Sequence, residues 1–174
     1  GQVTILAPDG PRSGFSGAIT TTQPLRLKHR ATEGALSVYS CDGTPVDCIK
    51  LAMNTLFADK RPDLIISGIN HGSNEGICVS YSGTLGAARE GCIYGIPSLG
   101  VSLDDTAWHP DFTDSIAYTV RVVQLMQQLT LPRQTYLSLN VPKTSPKGLK
   151  GCPMSVGRFV EELVPSSDGR GKPI

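Results

Sequence analysis

Short apolar runs alternate along this chain with segments of helical period, and turn residues close each run. Residues 3–7 (Val-Thr-Ile-Leu-Ala) read as a buried strand that stops at Pro8-Asp9-Gly10-Pro11. Residues 18–29 read as extended and β-rich, with Pro24 marking an edge or bulge. Residues 35–40 read as a further strand, and the two extended segments can pair as a hairpin around Ala31-Thr32-Glu33-Gly34. A helix opens at Thr44 as N-cap with Pro45 in its first position, where the missing N–H costs nothing. Val46, Ile49, Met53, Leu56 and Phe57 recur at helical spacing and are expected to face the core. Residues 63–69 are apolar on both faces, as in a central parallel strand.

A polar loop is expected over residues 70–76, and a helix rich in small residues over 85–92. A strand is expected over 98–103. A long amphipathic helix is expected over 111–129, with Ile116, Val120, Val123 and Met126 on one stripe, and a last strand over 135–141. This alternation predicts an α/β fold, a Rossmann-like three-layer sandwich with a mostly parallel sheet, plus a β-hairpin. From Pro142 the chain turns rich in Pro, Gly, Lys and Ser, with one short apolar stretch over residues 159–164. It divides into a core over residues 1–142 and an extended C-terminal arm over 143–174.

Composition narrows the class. The 174 residues suffice for one core, and 39% hydrophobic with 18% charged residues fits a folded protein. A net charge of +1 gives no reason to expect nucleic acid as a partner. No apolar run approaches the ~20 residues of a membrane span, and no signal peptide is evident, so a cytoplasmic protein without a membrane partner is expected. The 5 cysteines are odd in number and lack CxxC spacing, which points to reduced, mostly buried thiols.

Three polar loops follow predicted strands or open a helix, and in open α/β sheets ligands bind beyond the carboxyl ends of the strands. Arg12-Ser13-Gly14 offers a hydroxyl beside a flexible glycine, although Ser-Gly pairs are also ordinary turns. In Ser67-Gly68-Ile69-Asn70-His71-Gly72-Ser73-Asn74, Asn70 offers an oxygen to a hard cation and Asn74 offers N–H donors to phosphate. Both asparagines equally suit turn geometry. Tyr81-Ser82-Gly83-Thr84 enters a helix, where free N–H groups, the dipole and two hydroxyls make an anion pocket or a simple N-cap. His71 is a candidate proton donor or a rim residue, whereas His29 and His109 read as solvated. The GxSxG elbow of α/β hydrolases and the GxGxxG of dinucleotide folds are both absent.

Taken in order and spacing, Ala7-Pro8-Asp9, Arg12-Ser13-Gly14, Gly43-Thr44-Pro45-Val46-Asp47-Cys48, Asp63-Leu64-Ile65-Ile66-Ser67-Gly68-Ile69-Asn70 and Tyr81-Ser82-Gly83-Thr84 resemble the SurE (survival protein E) family of nucleotidases. The resemblance runs from Val3 to about Pro142, and the tail resembles the start of that family's extended C-terminal region. It implies a metal-dependent phosphomonoesterase acting on nucleoside 5′- and 3′-monophosphates. It further implies one Mg²⁺ or Mn²⁺ per subunit and a homodimer or homotetramer. Carried over, Ser13 and Asn70 would be metal ligands, and Asn74, Ser82, Gly83 and Thr84 would hold the phosphate.

One departure stands out. The family's first strand ends in Asn-Asp-Asp-Gly, whose aspartates are metal ligands, and this sequence lacks that motif. The site residues read here therefore form an incomplete active site, and a longer polypeptide, incomplete here at its N-terminus, is expected. The catalytic nucleophile stays unassigned. Two rival classes are a nucleotide-binding module without turnover and a Rossmann-like transferase whose loops hold a cofactor phosphate.

Overall fold

The computed structural model describes residues 1–160, 163, 165–170 and 172. Within them the elements run β1 (Val3–Pro8), β2 (Leu27–Glu33), β3 (Leu36–Cys41), α1 (Pro45–Asn54), β4 (Ile65–His71), α2 (Cys78–Tyr81), α3 (Gly83–Ile93), β5 (Ser98–Asp104), α4 (Thr113–Met126) and β6 (Leu137–Pro142).

The strands pair in two sets. β1 runs parallel to β3, which pairs antiparallel with β2, giving the order β1-β3-β2. The second set, β4-β5-β6, is parallel throughout. Helices α1 and α3 hold the two sets together. Leu6 of β1 and Ile65 of β4 meet under one apolar cluster with Ala52, Met53 and Ile96.

The expected three layers are present, and β5 shows why. Its Ser98, Gly100 and Ser102 are small and alternate with Leu99, Val101 and Leu103, all of them buried. The small side faces α3, since a β-carbon at Gly100 would meet Leu85 and Ala88. The large side packs with Met126, Val122 and Val123 of α4. The two-residue periodicity of one strand thus gives a close-packed helix on one face and a bulky core on the other.

Helix α1 starts as expected. The Thr44 hydroxyl accepts from the Asp47 N–H at 3.1 Å, and the Asp47 carboxylate accepts from the Thr44 N–H at 2.9 Å, a complete capping box. Val46 and Met53 are buried, and Ile49, Leu56 and Phe57 pack at the edge of the same core. Lys50 of α1 bridges to the buried Glu90 of α3 at 2.7 Å.

Several sequence expectations shift. Residues 18–26 are irregular, because Thr20 spends its N–H and hydroxyl on the Asp47 carboxylate and not on a ladder. The hairpin turn falls at Gly34-Ala35, where Gly34 adopts φ 57°, and not around residues 31–34. Residues Asn70 and His71 end β4 instead of opening a loop. On α4, Ile116 and Val120 are exposed at 57% and 53%, because the helix packs through Val122, Val123 and Met126. Val3 and Ile5 are likewise exposed, since α1 covers one face of β1 and no helix among the described residues covers the other.

The thiols of Cys41, Cys48 and Cys92 are buried, Cys78 is half-buried, Cys152 is exposed, and all five are free. Burial pushes the Cys48 thiol up to about 12, so it stays protonated. Beyond β6 the arm lies exposed over residues 143–160 for most of its length, touching the domain where Tyr118 donates to the Pro146 carbonyl and where Phe159 approaches Tyr81. The apolar stretch expected over residues 159–164 falls partly outside the described residues, at 161, 162 and 164. No helix among the described residues is long and apolar enough to cross a membrane.

Asp47 is 1% exposed and accepts from Thr20 and Thr44. Burial works against its charge, but the hydrogen bonds outweigh it and hold the carboxyl below its ordinary value of 3.8. Replacing it with alanine strands buried donors and is expected to cost on the order of 3 kcal/mol in urea unfolding. A group with a lowered folded-state pKa stabilises fully above its unfolded value and stops doing so as pH falls through the folded one. Wild type should therefore lose stability below about pH 4 more steeply than Asp47→Asn does. Parallel acid unfolding curves for the two proteins would rule this out.

Candidate functional site: an anion cleft at the carboxyl ends of the strands

Three segments that the sequence singled out converge on one open cleft of about 370 Å³. It is lined by Pro8, Gly10, Arg12, Ser13 and Gly14 from the loop after β1, Pro45 from α1, Asn70 and His71 from the end of β4, and Ser82, Gly83 and Thr84 from the start of α3. All of these lie at the carboxyl ends of β1 and β4 or at helix N-termini.

The start of α3 is built to receive an anion. Ser82 is the N-cap, with φ −75° and ψ 121°, and its hydroxyl oxygen accepts from the Leu85 N–H at 3.1 Å. That leaves its O–H and the first-turn N–H groups of Gly83 and Thr84 at the helix mouth, where the dipole favours negative charge. The 11-residue helix is long enough for its dipole to matter.

Approach requires glycine at position 86 and leaves little room at position 83. A β-carbon on Gly83 would sit 3.1 Å from Pro45 Cγ and 3.4 Å from the Arg12 carbonyl oxygen. One on Gly86 would strike the Ser16 carbonyl. The helix mouth is therefore pressed against both the Ser13 loop and α1.

The Ser13 loop has no regular structure and is held by its neighbours. Arg12 donates from Nε to the Gly43 carbonyl at 3.1 Å and from Nη2 to the Asp42 carbonyl at 3.0 Å. Ser16 donates through Oγ to the Ser80 carbonyl at 2.6 Å, and the Thr44 hydroxyl donates to the Ala18 carbonyl at 2.7 Å. Ser13 itself is exposed at the cleft.

Asn70 reaches the cleft through a bulge. The β4–β5 register shifts between Ser67 and Asn70, after which Asn70 faces Ser102 and His71 faces Leu103. Gly68 takes φ 131° within the bulge, and a β-carbon there would strike the Val101 carbonyl. The Asn70 amide nitrogen donates to the His71 and Gly72 carbonyls, which fixes its oxygen toward Thr84, whose hydroxyl donates to it at 3.3 Å.

Five of the six predicted site residues, Ser13, Asn70, Ser82, Gly83 and Thr84, thus share the cleft. Asn74 does not line it. It is buried, its side-chain amide donates to Ser102 Oγ at 2.8 Å and its backbone N–H donates to Asn140 Oδ1 at 2.7 Å. In this arrangement it ties the β4–α2 loop to β5 and β6. The sequence reading did not single out Arg12 or Asp47 as supports. The Thr-x-x-Asp spacing at Thr44 was the available signal for Asp47.

A hard divalent cation takes several oxygens, carboxylates foremost. Ser13 and Asn70 offer two neutral oxygens, no carboxylate lines the cleft, and no cluster of three His, Cys, Asp or Glu exists among the described residues. The lining residues alone do not fit such an ion.

Fold and cleft together define an α/β domain with an anion pocket at the carboxyl edge of its parallel strands. The family model for Survival protein SurE matches residues 1–161, and the chain belongs to that family. A protein named 5′-nucleotidase SurE from Porphyromonas gingivalis is 55% identical over 174 residues, which is all of this chain and 68% of that protein. One of the same name from Phocaeicola vulgatus is 44% identical over 172 residues, 98% of this chain and 66% of its own length. The crystal structure of the SurE protein from Aquifex aeolicus matches with a TM-score of 0.82 at 33% identity, covering 97% of this chain and 68% of that one.

Gly86→Ala is expected to destabilise the fold by about 1–3 kcal/mol through overpacking against the Ser16 carbonyl. It should also blunt the rise in melting temperature that inorganic phosphate gives the wild type. An undiminished phosphate-induced rise would show that the close approach is not needed for the anion.

Proposed function

We propose that this chain carries the substrate cleft of a 5′-nucleotidase, which hydrolyses nucleoside monophosphates to nucleoside and phosphate. The supporting observation is the start of α3, where Ser82, Gly83 and Thr84 face the same cleft as Ser13 and Asn70. The phosphate of the substrate accepts from the Gly83 and Thr84 N–H groups and from the Ser82 hydroxyl. Donors preset at that mouth stabilise charge on the equatorial oxygens without reorganising during the reaction. The half-buried Arg12 keeps its guanidinium beside the cleft while bonded to the Asp42 and Gly43 carbonyls, which adds positive potential there.

Dependence on Mg²⁺ or Mn²⁺ is part of the proposal. Ser13 and Asn70 would supply oxygen ligands to a site whose carboxylates come from outside the lining of this cleft. Hydrolysis of 3′-monophosphates, a cytoplasmic location and assembly as a homodimer or homotetramer are further parts of the same reading. A cleft lined without carboxylates favours one alternative, a nucleotide-binding module that does not turn over.

Phosphate release from AMP, measured with Mn²⁺ and again with excess chelator, tests this. Release that requires the metal is the expected result, and Asn70→Ala should lower it at least tenfold with the fold intact. Release that persists in chelator would remove the metal from the proposal. Tight AMP binding without release would favour the binding module.

A further inference from the structure

A mononucleotide extends well beyond its phosphate, and the cleft lining includes one aromatic side chain, His71. His71 lines the cleft, and its ring lies 5.3 Å from that of Phe112 at a 43° tilt. Phe112 ends the loop that follows β5, and Trp108 stands on the same loop, 89% exposed, touching the edge of His109.

That loop is held against the end of β4. Gly72 donates its N–H to the Leu103 and Asp105 carbonyls at 2.8 and 3.2 Å. The Asp105 carboxylate accepts from the Ala107 N–H at 2.9 Å and pairs with Lys143 at 3.1 Å. Asp111 caps the far end through the Thr113 N–H at 2.9 Å. Trp108 thus stands exposed on a loop tied down at Asp105 and Asp111, whose Phe112 contacts the cleft-lining His71, an unusual placement for so large an apolar surface.

Two other exposed aromatics near the cleft are already engaged. Phe15 lies under the Arg12 guanidinium at 5.8 Å, and Tyr81 lies against Phe159 at 6.0 Å.

We propose that His71, Phe112 and Trp108 form the platform on which the nucleobase of the substrate stacks, an assignment that rests on the nucleotidase reading of the cleft. The phosphate occupies the mouth of α3, the ribose spans the cleft past Asn70, and the base leaves over His71 toward the loop. Stacking tolerates any base, because each has a π-face, so the platform recognises nucleosides as a class.

This sequence holds 1 tryptophan, and the difference in emission between wild type and Trp108→Phe isolates its signal. Emission of the full-length protein is titrated with AMP, with ribose 5-phosphate and with inorganic phosphate. AMP should change the emission while the two baseless compounds should not. A silent AMP titration, or equal changes from all three, overturns the platform.

The kinetic arm compares kcat/KM for AMP with kcat/KM for ribose 5-phosphate. Trp108→Ala, at an exposed position, and Phe112→Leu, which keeps bulk without a ring, should each lower that ratio about tenfold. An unchanged ratio in both variants overturns the platform. A wild-type protein that hydrolyses neither compound instead overturns the nucleotidase reading, and the emission titration still decides whether a base sits at Trp108.

Discussion

Helix α3 approaches its neighbours more closely than any residue but glycine allows, and the site depends on that approach. Gly83 brings the helix mouth to Pro45 and the Arg12 carbonyl, and Gly86 brings the next turn to the Ser16 carbonyl. At Gly91 a β-carbon would collide with Ser98 and Ile65. One face of α3 is thus devoted to contact with the Ser13 loop, α1 and the sheet in turn.

The Ser13 loop needs external support because it has no ladder of its own. Asp47 and Arg12 provide it from opposite directions. Asp47, inside the domain, holds Thr20 and the start of α1 together. Arg12 reaches from the loop to the carbonyls just before that start. Both act at residues 42–47, so the beginning of α1 serves as the fixed point for a segment that carries a candidate ligand. A buried carboxylate is expensive to desolvate, and here its full set of hydrogen bonds offsets that cost.

Charge at the cleft is local. The chain as a whole is nearly neutral, yet the mouth of α3 gathers N–H groups, hydroxyls and a nearby guanidinium. Such a site attracts phosphate through oriented dipoles and not through net charge. On another side the His71 ring lines the cleft with Phe112 of the β5–α4 loop against it.

The sequence by itself determined the local pieces. Thr44 and Pro45 announced the start of α1, Ser82 with Gly83 announced the mouth of α3, and alternating runs announced the parallel strands. The ordered motifs also pointed to the SurE family, which the family match bears out. Signals of this kind are written by residues a few positions apart, so they survive in the bare sequence. Tertiary structure decided the rest. A bulge at Gly68 made Asn70 and His71 the end of a strand, Ser102 and Asn140 drew Asn74 away from the cleft, and packing on β5 and β6 left Ile116 and Val120 exposed. The first two outcomes turn on partners 28 or more residues away and the third on strands outside the helix itself, and no local pattern encodes those positions.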